Sequence, residues 1–171
     1  SREASKGAML VRGCSLPAQK TFEGYDCSCV RWPKGFGRED LLALSFLPGH
    51  EDLVLMGDVG TGKTHMASAL CFLCCESRVE ARFFTASSLV LRLRHARDEG
   101  RPDREPARIG HAELLALDEL GFLPLAPEGA RPLFQVVSEA YARPSVAFTT
   151  TLEVSRRGPV FGADPRAAAG I

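Results

Sequence analysis

The residues best suited to chemistry lie in one short segment of this 171-residue chain. Gly57-Asp58-Val59-Gly60-Thr61-Gly62-Lys63-Thr64 fills every fixed position of the phosphate-binding loop G-x-x-x-x-G-K-[S/T]. Gly57 and Gly62 let the backbone turn tightly and bring its N–H groups close to phosphate oxygens. Lys63 can reach the β- and γ-phosphates of a nucleoside triphosphate, and the Thr64 hydroxyl can ligate Mg²⁺. The segment therefore predicts a nucleotide site, because an ordinary glycine-rich turn needs no Lys-Thr pair there.

The flanking residues have the pattern that such a loop requires. The apolar run 53–56 predicts a buried strand before the loop, and apolar residues at helical spacing over 66–73 predict a helix after it. The positive end of that helix dipole would face a bound anion.

A second chemical motif follows about fifty residues later. The apolar strand pattern 114–117 ends in Asp118 and Glu119. In P-loop ATPases an acid at this place holds the Mg²⁺ shell, which is the role predicted for Asp118. Glu119 is placed to polarise a water against the γ-phosphate. Adjacent acids also begin many loops, but the phosphate loop upstream favours the functional interpretation.

The remaining elements alternate between strands and helices. Strands are predicted at 79–85 and 145–150, a helix capped by Ser87 or Ser88 lies between them, and another helix covers 128–142. The charged stretch from 99 to 106 reads as a loop or a broken helix. This alternation predicts an α/β domain with a mainly parallel sheet.

In a parallel sheet, ligands bind at the carboxyl ends of the strands. The phosphate loop, Asp118-Glu119 and Thr151 all follow predicted strands. We therefore expect them to meet at one edge of the sheet.

Composition narrows the class of protein. The formal net charge is zero, so the chain as a whole lacks the electrostatic footprint of a nucleic-acid binder. A local excess of arginines could be a solvated face or a DNA contact surface: Arg92, Arg94, Arg97, Arg101, Arg104 and Arg108. No apolar run reaches the roughly 18 residues of a membrane span, and the first residues lack the apolar core of a signal peptide. A cytoplasmic protein without a membrane partner is the expectation.

The six cysteines suggest core thiols more than a metal site. Cys71, Cys74 and Cys75 fall on one helical face behind the phosphate loop, where small buried residues are expected. Cys71-x-x-Cys74 has no second pair with which to form a zinc pattern.

With these motifs in order, the chain resembles the IstB family of transposition helper ATPases, in the AAA+ superfamily near the DnaC helicase loaders. The likeness covers roughly residues 20 to 165 and extends the nucleotide-binding segment through His65. It is carried by the segments 21–26, 57–65, 82–86, 98–101, 114–131, 133–138 and 160–162.

The resemblance implies a three-layer P-loop core that binds ATP and Mg²⁺, assembles as a homo-oligomer on DNA and assists a transposase. It divides the chain into an N-terminal arm or stub (1–20), the AAA+ ATPase core (21–165) and the truncated start of a C-terminal segment (166–171), with the helical lid largely absent. Hydrolysis in such proteins uses an arginine from a neighbouring subunit, and Arg166 is not assigned that role.

Several positions depart from the family pattern. Thr149-Thr150-Thr151 stands where the family usually has Thr-Thr-Asn, so the sensor amide is replaced by the Thr151 hydroxyl, which has a shorter reach. Arg157 stands where Trp is usual, and Pro132 interrupts a helix that is normally regular. We therefore expect ATP binding with weak hydrolysis by the chain alone, with Lys63, Glu119 and Thr151 as the catalytic candidates.

Three alternatives remain open. A helicase loader in DNA replication shares the same ATPase motifs. A small-molecule P-loop kinase would need an acceptor pocket and a basic lid, neither of which is evident after residue 150. A non-catalytic remnant or interaction module would show no thermal stabilisation by nucleotide.

Overall fold

The computed structural model describes residues 2–101, 104–119, 144–151 and 168–170, without the side chains of Arg97, Glu105, Pro106 and residues 168–170. The predicted helix over 128–142 with its Pro132, and the positions Arg157 and Arg166, lie outside the described residues.

Five parallel strands form a single sheet in the order β2-β3-β4-β1-β5. The strands are β1 (Leu53–Met56), β2 (Ala81–Thr85), β3 (Leu114–Asp118), β4 (Ser145–Thr150) and β5 (Ala168–Gly170). The helices are α1 (Arg2–Cys14), α2 (Arg38–Leu42), α3 (Lys63–Glu76), α4 (Ala86–Asp98) and α5 (Arg104–Gly110). The predicted parallel α/β sheet is confirmed, and β4 lies at its centre between β3 and β1.

Side chains of the strands alternate between two apolar clusters, one on each face of the sheet. Successive strand residues point to opposite faces, so a strand buried on both sides reads as a continuous apolar run. One cluster packs under α3 and includes Leu53, Leu55, Phe83, Leu114 and Ala116. The other packs under α4 and α5 and includes Phe84, Leu115, Leu117, Val146 and Phe148. The predicted three-layer architecture follows from this alternation.

The segment predicted as an N-terminal arm or stub (1–20) contains a helix. This helix, α1, packs against α3 and β2. Its last residue, Cys14, is fully buried. The Arg82 guanidinium donates a hydrogen bond to the carbonyl oxygen of Gly13, and its other terminal nitrogen lies 2.9 Å from a Glu80 carboxylate oxygen. The helix is therefore anchored at its C-terminal end by a charged side chain of the sheet.

The prediction that Ser87 or Ser88 caps α4 is wrong. The helix begins at Ala86, and the Thr85 hydroxyl accepts the backbone N–H of Ser88 at 3.2 Å. This is the bond that an N-cap side chain makes to the third residue of a helix. The loop or broken helix predicted over 99–106 is confirmed in part: α4 ends at Asp98, but α5 begins at Arg104, inside the predicted range.

Four thiols lie in the core, as predicted for the helical cysteine cluster. Cys71, Cys74 and Cys75 of α3 meet Cys14 of α1, and all four are 0% exposed. A hydrogen bond with Cys71 raises the pKa of Cys14, burial raises the pKa of Cys74, and a hydrogen bond with Cys14 raises the pKa of Cys75. Among the described residues, no group of three or more Cys, His, Asp or Glu side chains is arranged to hold a metal ion.

None of the helices in the described ranges is long and apolar enough to cross a membrane.

Candidate nucleotide-binding site

The segment 57–64 turns sharply between β1 and α3. Gly60 and Gly62 have φ angles of 82° and 91°, in the left-handed region that favours glycine. Gly57 instead donates its N–H to the carbonyl oxygen of Thr150 at 3.3 Å. The left-handed positions are thus Gly60 and Gly62, whereas Gly57 joins the start of the loop to the end of β4.

Lys63 lies inside this loop, and its side chain is 7% exposed. Its ammonium group donates to the carbonyl oxygens of Gly57 at 2.8 Å and Asp58 at 2.6 Å. Burial lowers the pKa of Lys63, while the charges of Asp118 and Asp58 oppose that effect. The ammonium is therefore held at the centre of the loop by main-chain oxygens.

The tip of the loop offers main-chain atoms more than side chains. The Thr61 hydroxyl donates to the Asp58 carbonyl oxygen at 2.8 Å, which closes the turn. The Val59 side chain is 81% exposed. Asp58, Val59, Gly60 and Thr61 thus form a compact exposed cap before α3.

The two motifs predicted from the sequence meet. Thr64, in the first turn of α3, donates its hydroxyl to the Asp118 carboxylate, 3.0 Å from each oxygen and 54 residues away in sequence. Asp118 closes β3 and is only 3% exposed. A buried carboxylate must be hydrogen-bonded to be tolerated, and the hydroxyl meets part of that need.

A second hydroxyl at Asp118 was missed by the sequence analysis, which considered Thr151 instead. Thr149 of β4 donates to Asp118 Oδ1 and accepts the backbone N–H of Glu119 at 3.0 Å. The signal was its place in the run Thr149-Thr150-Thr151, of which only Thr151 was assigned a role. Thr151 directly follows β4 and is half-buried, and the Glu119 side chain is exposed.

The segment 21–26 packs against the other side of the loop. The Tyr25 hydroxyl donates to the Gly62 carbonyl oxygen at 3.2 Å, and its ring meets that of His65 edge to face at 5.0 Å. Nε2 of His65 lies 3.0 Å from the Thr21 carbonyl oxygen. His65, predicted to contact nucleotide, thus faces the chain's own N-terminal segment. Tyr25 was not predicted as a site residue, although its segment was noted as characteristic.

These groups fit both ligands that the sequence predicts. Thr64 and Asp118 offer hydroxyl and carboxylate oxygens, the hard ligands that Mg²⁺ prefers. A cation there would be held beside Lys63 at the N-terminus of the 14-residue helix α3, where main-chain N–H groups attract phosphate. The donor set suits a magnesium-bound polyphosphate.

Comparison with known proteins also indicates an ATP-binding protein. The family described as IstB-like ATP binding protein matches residues 1–171. An ATP-binding protein of insertion sequence IS232 from Bacillus thuringiensis is 32% identical over 173 residues, covering 99% of this chain and 68% of the relative. The ATP-binding protein of IS21 from Pseudomonas aeruginosa is 31% identical, and the match covers 89% of this chain and 57% of the relative. The ATP-binding protein of IS5376 from Geobacillus stearothermophilus is 29% identical, and the match covers 94% of this chain and 64% of the relative. The chain thus spans about three fifths of the length of these relatives.

Solved structures establish the fold class. The replication initiator DnaA bound to AMPPCP and single-stranded DNA superposes with a TM-score of 0.63 at 16% identity, covering 88% of this chain and 47% of that one. The DnaC helicase loader gives a TM-score of 0.57 at 23% identity, covering 80% and 79%. At these identities the likeness concerns the fold, which is that of a P-loop AAA+ domain. With a family match over its whole length, the chain belongs to the IstB-like ATP-binding proteins.

Proposed function

We propose that this chain is the ATP-binding core of a helper ATPase for DNA transposition. The observation that carries the proposal is the convergence of Lys63, Thr64 and Asp118 at the N-terminus of α3. The relatives are named as ATP-binding proteins of insertion sequences, which supports a transposase as partner. Assembly as a homo-oligomer on DNA is part of the same proposal.

Each residue of the site has a distinct role in this proposal. Lys63 exchanges loop carbonyl oxygens for the β- and γ-phosphates, while Thr64 and Asp118 hold Mg²⁺. The bound ion neutralises charge on the phosphates. Glu119, whose side chain is exposed, orients a water and accepts its proton. Thr151 takes the place of the sensor amide, and its short hydroxyl is the reason we expect slow turnover by the chain alone.

The experiment that tests the proposal is a titration with a fluorescent ATP analogue in the presence of Mg²⁺. Lys63→Ala should abolish saturable binding, because it removes the cation at the centre of the loop. Lys34→Ala, which removes an exposed lysine outside the loop, is the matched control and should bind like the wild type. Since Lys63 also ties the loop carbonyls together, thermal unfolding without nucleotide must accompany the titration. Unchanged binding by a folded Lys63→Ala protein would refute the proposed site.

A basic groove supports DNA as a partner. A groove of about 460 Å³ lies between α4 and α5 and is lined by Arg92, Arg101, Arg104 and Arg108. Among the described residues that line the groove, Glu99 is the acidic one, and it pairs with Arg101. Clustered guanidinium groups suit the phosphate backbone of DNA, which they contact without reading sequence. The zero net charge of the chain thus conceals a local basic surface.

DNA binding is tested by reversing one charge inside this groove and one outside it. Arg108→Glu should weaken binding to duplex DNA of any sequence and reduce the slope of log affinity against log salt by about one. Arg94→Glu, on the same helix pair but away from the groove lining, carries the same change in net charge and should have the smaller effect. Equal losses from both variants would argue for a general charge effect and against a groove.

The helicase-loader alternative shares the nucleotide site and differs in its partner. Affinity purification of the chain from its native host should recover a transposase; recovery of a replicative helicase instead would favour the loader.

A further inference from the structure

One buried hydroxyl holds both acidic residues at the end of β3. Thr149 is 2% exposed on the central strand β4. Its single hydroxyl proton goes to Asp118 Oδ1, and a lone pair of the same oxygen accepts the Glu119 N–H at 3.0 Å. A hydroxyl can donate and accept at once, which an apolar side chain of the same shape cannot do.

The bond to Glu119 meets an unusual piece of backbone. Glu119 has φ of 59°, in the left-handed region that non-glycine residues adopt at a cost. Such a conformation persists where the surroundings determine it. The Thr149 hydroxyl fixes the N–H of this residue, and with it the peptide group that joins Asp118 to Glu119.

The bond to Asp118 complements that of Thr64. Thr64 is exposed and is itself a proposed Mg²⁺ ligand, so its hydroxyl serves the cation as well as the carboxylate. Thr149 approaches the same carboxylate from the buried interior. It is therefore the hydroxyl that can hold the orientation of Asp118 whether or not Thr64 is engaged.

We propose that Thr149 is a positioning residue that aligns Asp118 for Mg²⁺ and Glu119 for water. The proposal rests on the proposed function of the same site and adds the residue that couples its two acids. Partners that orient a metal ligand from behind commonly change metal affinity or activity by about 10- to 100-fold when removed.

Another hydroxyl on the same strand provides the contrast. Ser145 begins β4 and is 0% exposed, and its Oγ has no hydrogen-bond partner among the described residues. A serine or threonine in this strand can thus be a simple core residue. Thr149 differs because its oxygen is bonded to two groups of the site.

The test uses the chain as it stands, with equilibrium binding of a fluorescent ATP analogue measured against Mg²⁺ concentration. Thr149→Val keeps the shape and removes the hydroxyl, and Thr149→Ala does so if valine impairs folding. In these variants, the midpoint, which is the Mg²⁺ concentration that gives half of the maximal enhancement of analogue binding, should rise about tenfold or more. The affinity for the analogue measured in EDTA should change little. Thr149→Ser, which keeps the hydroxyl, should restore the wild-type midpoint, and Ser145→Ala should not move it.

The outcomes separate this inference from the function on which it rests. If the wild type binds no nucleotide, the proposed function fails. If the wild type binds and the midpoint is the same in Thr149→Val or Thr149→Ala, the positioning role is overturned. It is also overturned if these variants lose affinity equally with and without Mg²⁺, which would indicate a role in the fold only, or if Thr149→Ser behaves like Thr149→Ala.

Discussion

Alkaline pH should destabilise this protein steeply because of its buried thiols. Cys14, Cys74 and Cys75 are 0% exposed, and their pKa values are raised well above the ordinary value of 9.0. Above pH 9 the unfolded chain therefore releases three protons that the native chain keeps. A pKa that is raised in the native state contributes stability that is fully present below the pKa of the unfolded chain and is lost as the pH rises above it. The free energy of unfolding must therefore fall at alkaline pH.

The size of the effect follows from proton linkage. Each proton kept only by the native state lowers the free energy of unfolding by about 1.4 kcal/mol per pH unit. Between pH 8 and pH 10 this amounts to about 1.4 kcal/mol for one thiol and about 4 kcal/mol for three. A domain of this kind has a total stability of about 5–15 kcal/mol, so the loss is large enough to measure.

The assay is urea unfolding followed by circular dichroism at pH 8, 9 and 10 under reducing conditions. Other groups also titrate in this range, so variants must isolate the thiols. Cys74→Ala should lower stability at every pH through its cavity, yet reduce the loss between pH 8 and 10 by about 1.4 kcal/mol. Cys29→Ala removes an exposed thiol outside the core and is the matched control for the substitution. An equal pH dependence in Cys74→Ala and the wild type would refute the reasoning.

Three further predictions concern the nucleotide loop. Tyr25→Phe should lower the free energy of unfolding by only about 1 kcal/mol, because the Gly62 carbonyl oxygen still accepts the Met66 N–H at 2.9 Å. Tyr25→Ala should lower it several times more, because the ring is lost as well. Similar unfolding midpoints for the two variants would contradict a role of the ring in packing. Gly62→Ala should weaken ATP-analogue binding more than Gly60→Ala. Both glycines have a positive φ, but only at Gly62 would the new Cβ lie 3.0 Å from the Tyr25 hydroxyl. Comparable affinities of the two variants would exclude this steric cause. Asp118→Asn should retain analogue binding in EDTA and lose its enhancement by Mg²⁺, and a Mg²⁺ response like that of the wild type would remove Asp118 from the cation site.

Much of the layered fold could be predicted because the strands are apolar on both faces. β3 and β4 are buried along their whole length, and residues 114–117 and 146–148 within them read as apolar runs. The helix α1 could not be predicted in this way, because most of its residues are exposed and its anchor is the charged side chain of Arg82. The cap of α4 was misplaced because Thr85, Ser87 and Ser88 offer equivalent hydroxyls, and only the backbone decides which is outside the helix.

The site was predictable wherever its residues form a spaced motif. The loop 57–64 and Asp118 belong to such motifs, and the structure brings Thr64 and Asp118 into contact. Thr149 lies in the Thr149-Thr150-Thr151 triplet, but its contact with both acids comes from lying beside the end of β3 in the sheet. A single sequence does not state which strands are neighbours, so the hydroxyl next to Asp118 emerges only with the strand order.

That strand order has a consequence for how the site is assembled. The loop follows β1, and the two acids stand at the end of β3. In the sheet, β4 lies between β1 and β3, although it is the last of the three strands in sequence. The pairing of Leu53 with Ala147 on one side and of Leu114 with Ser145 on the other links the strand before the loop to the strand that carries Asp118. A nucleotide that contacts both the loop and the acids would therefore stabilise β4 as well, because β4 joins their two strands in the sheet. Hydrogen exchange in β4 is where a bound nucleotide should slow opening most clearly.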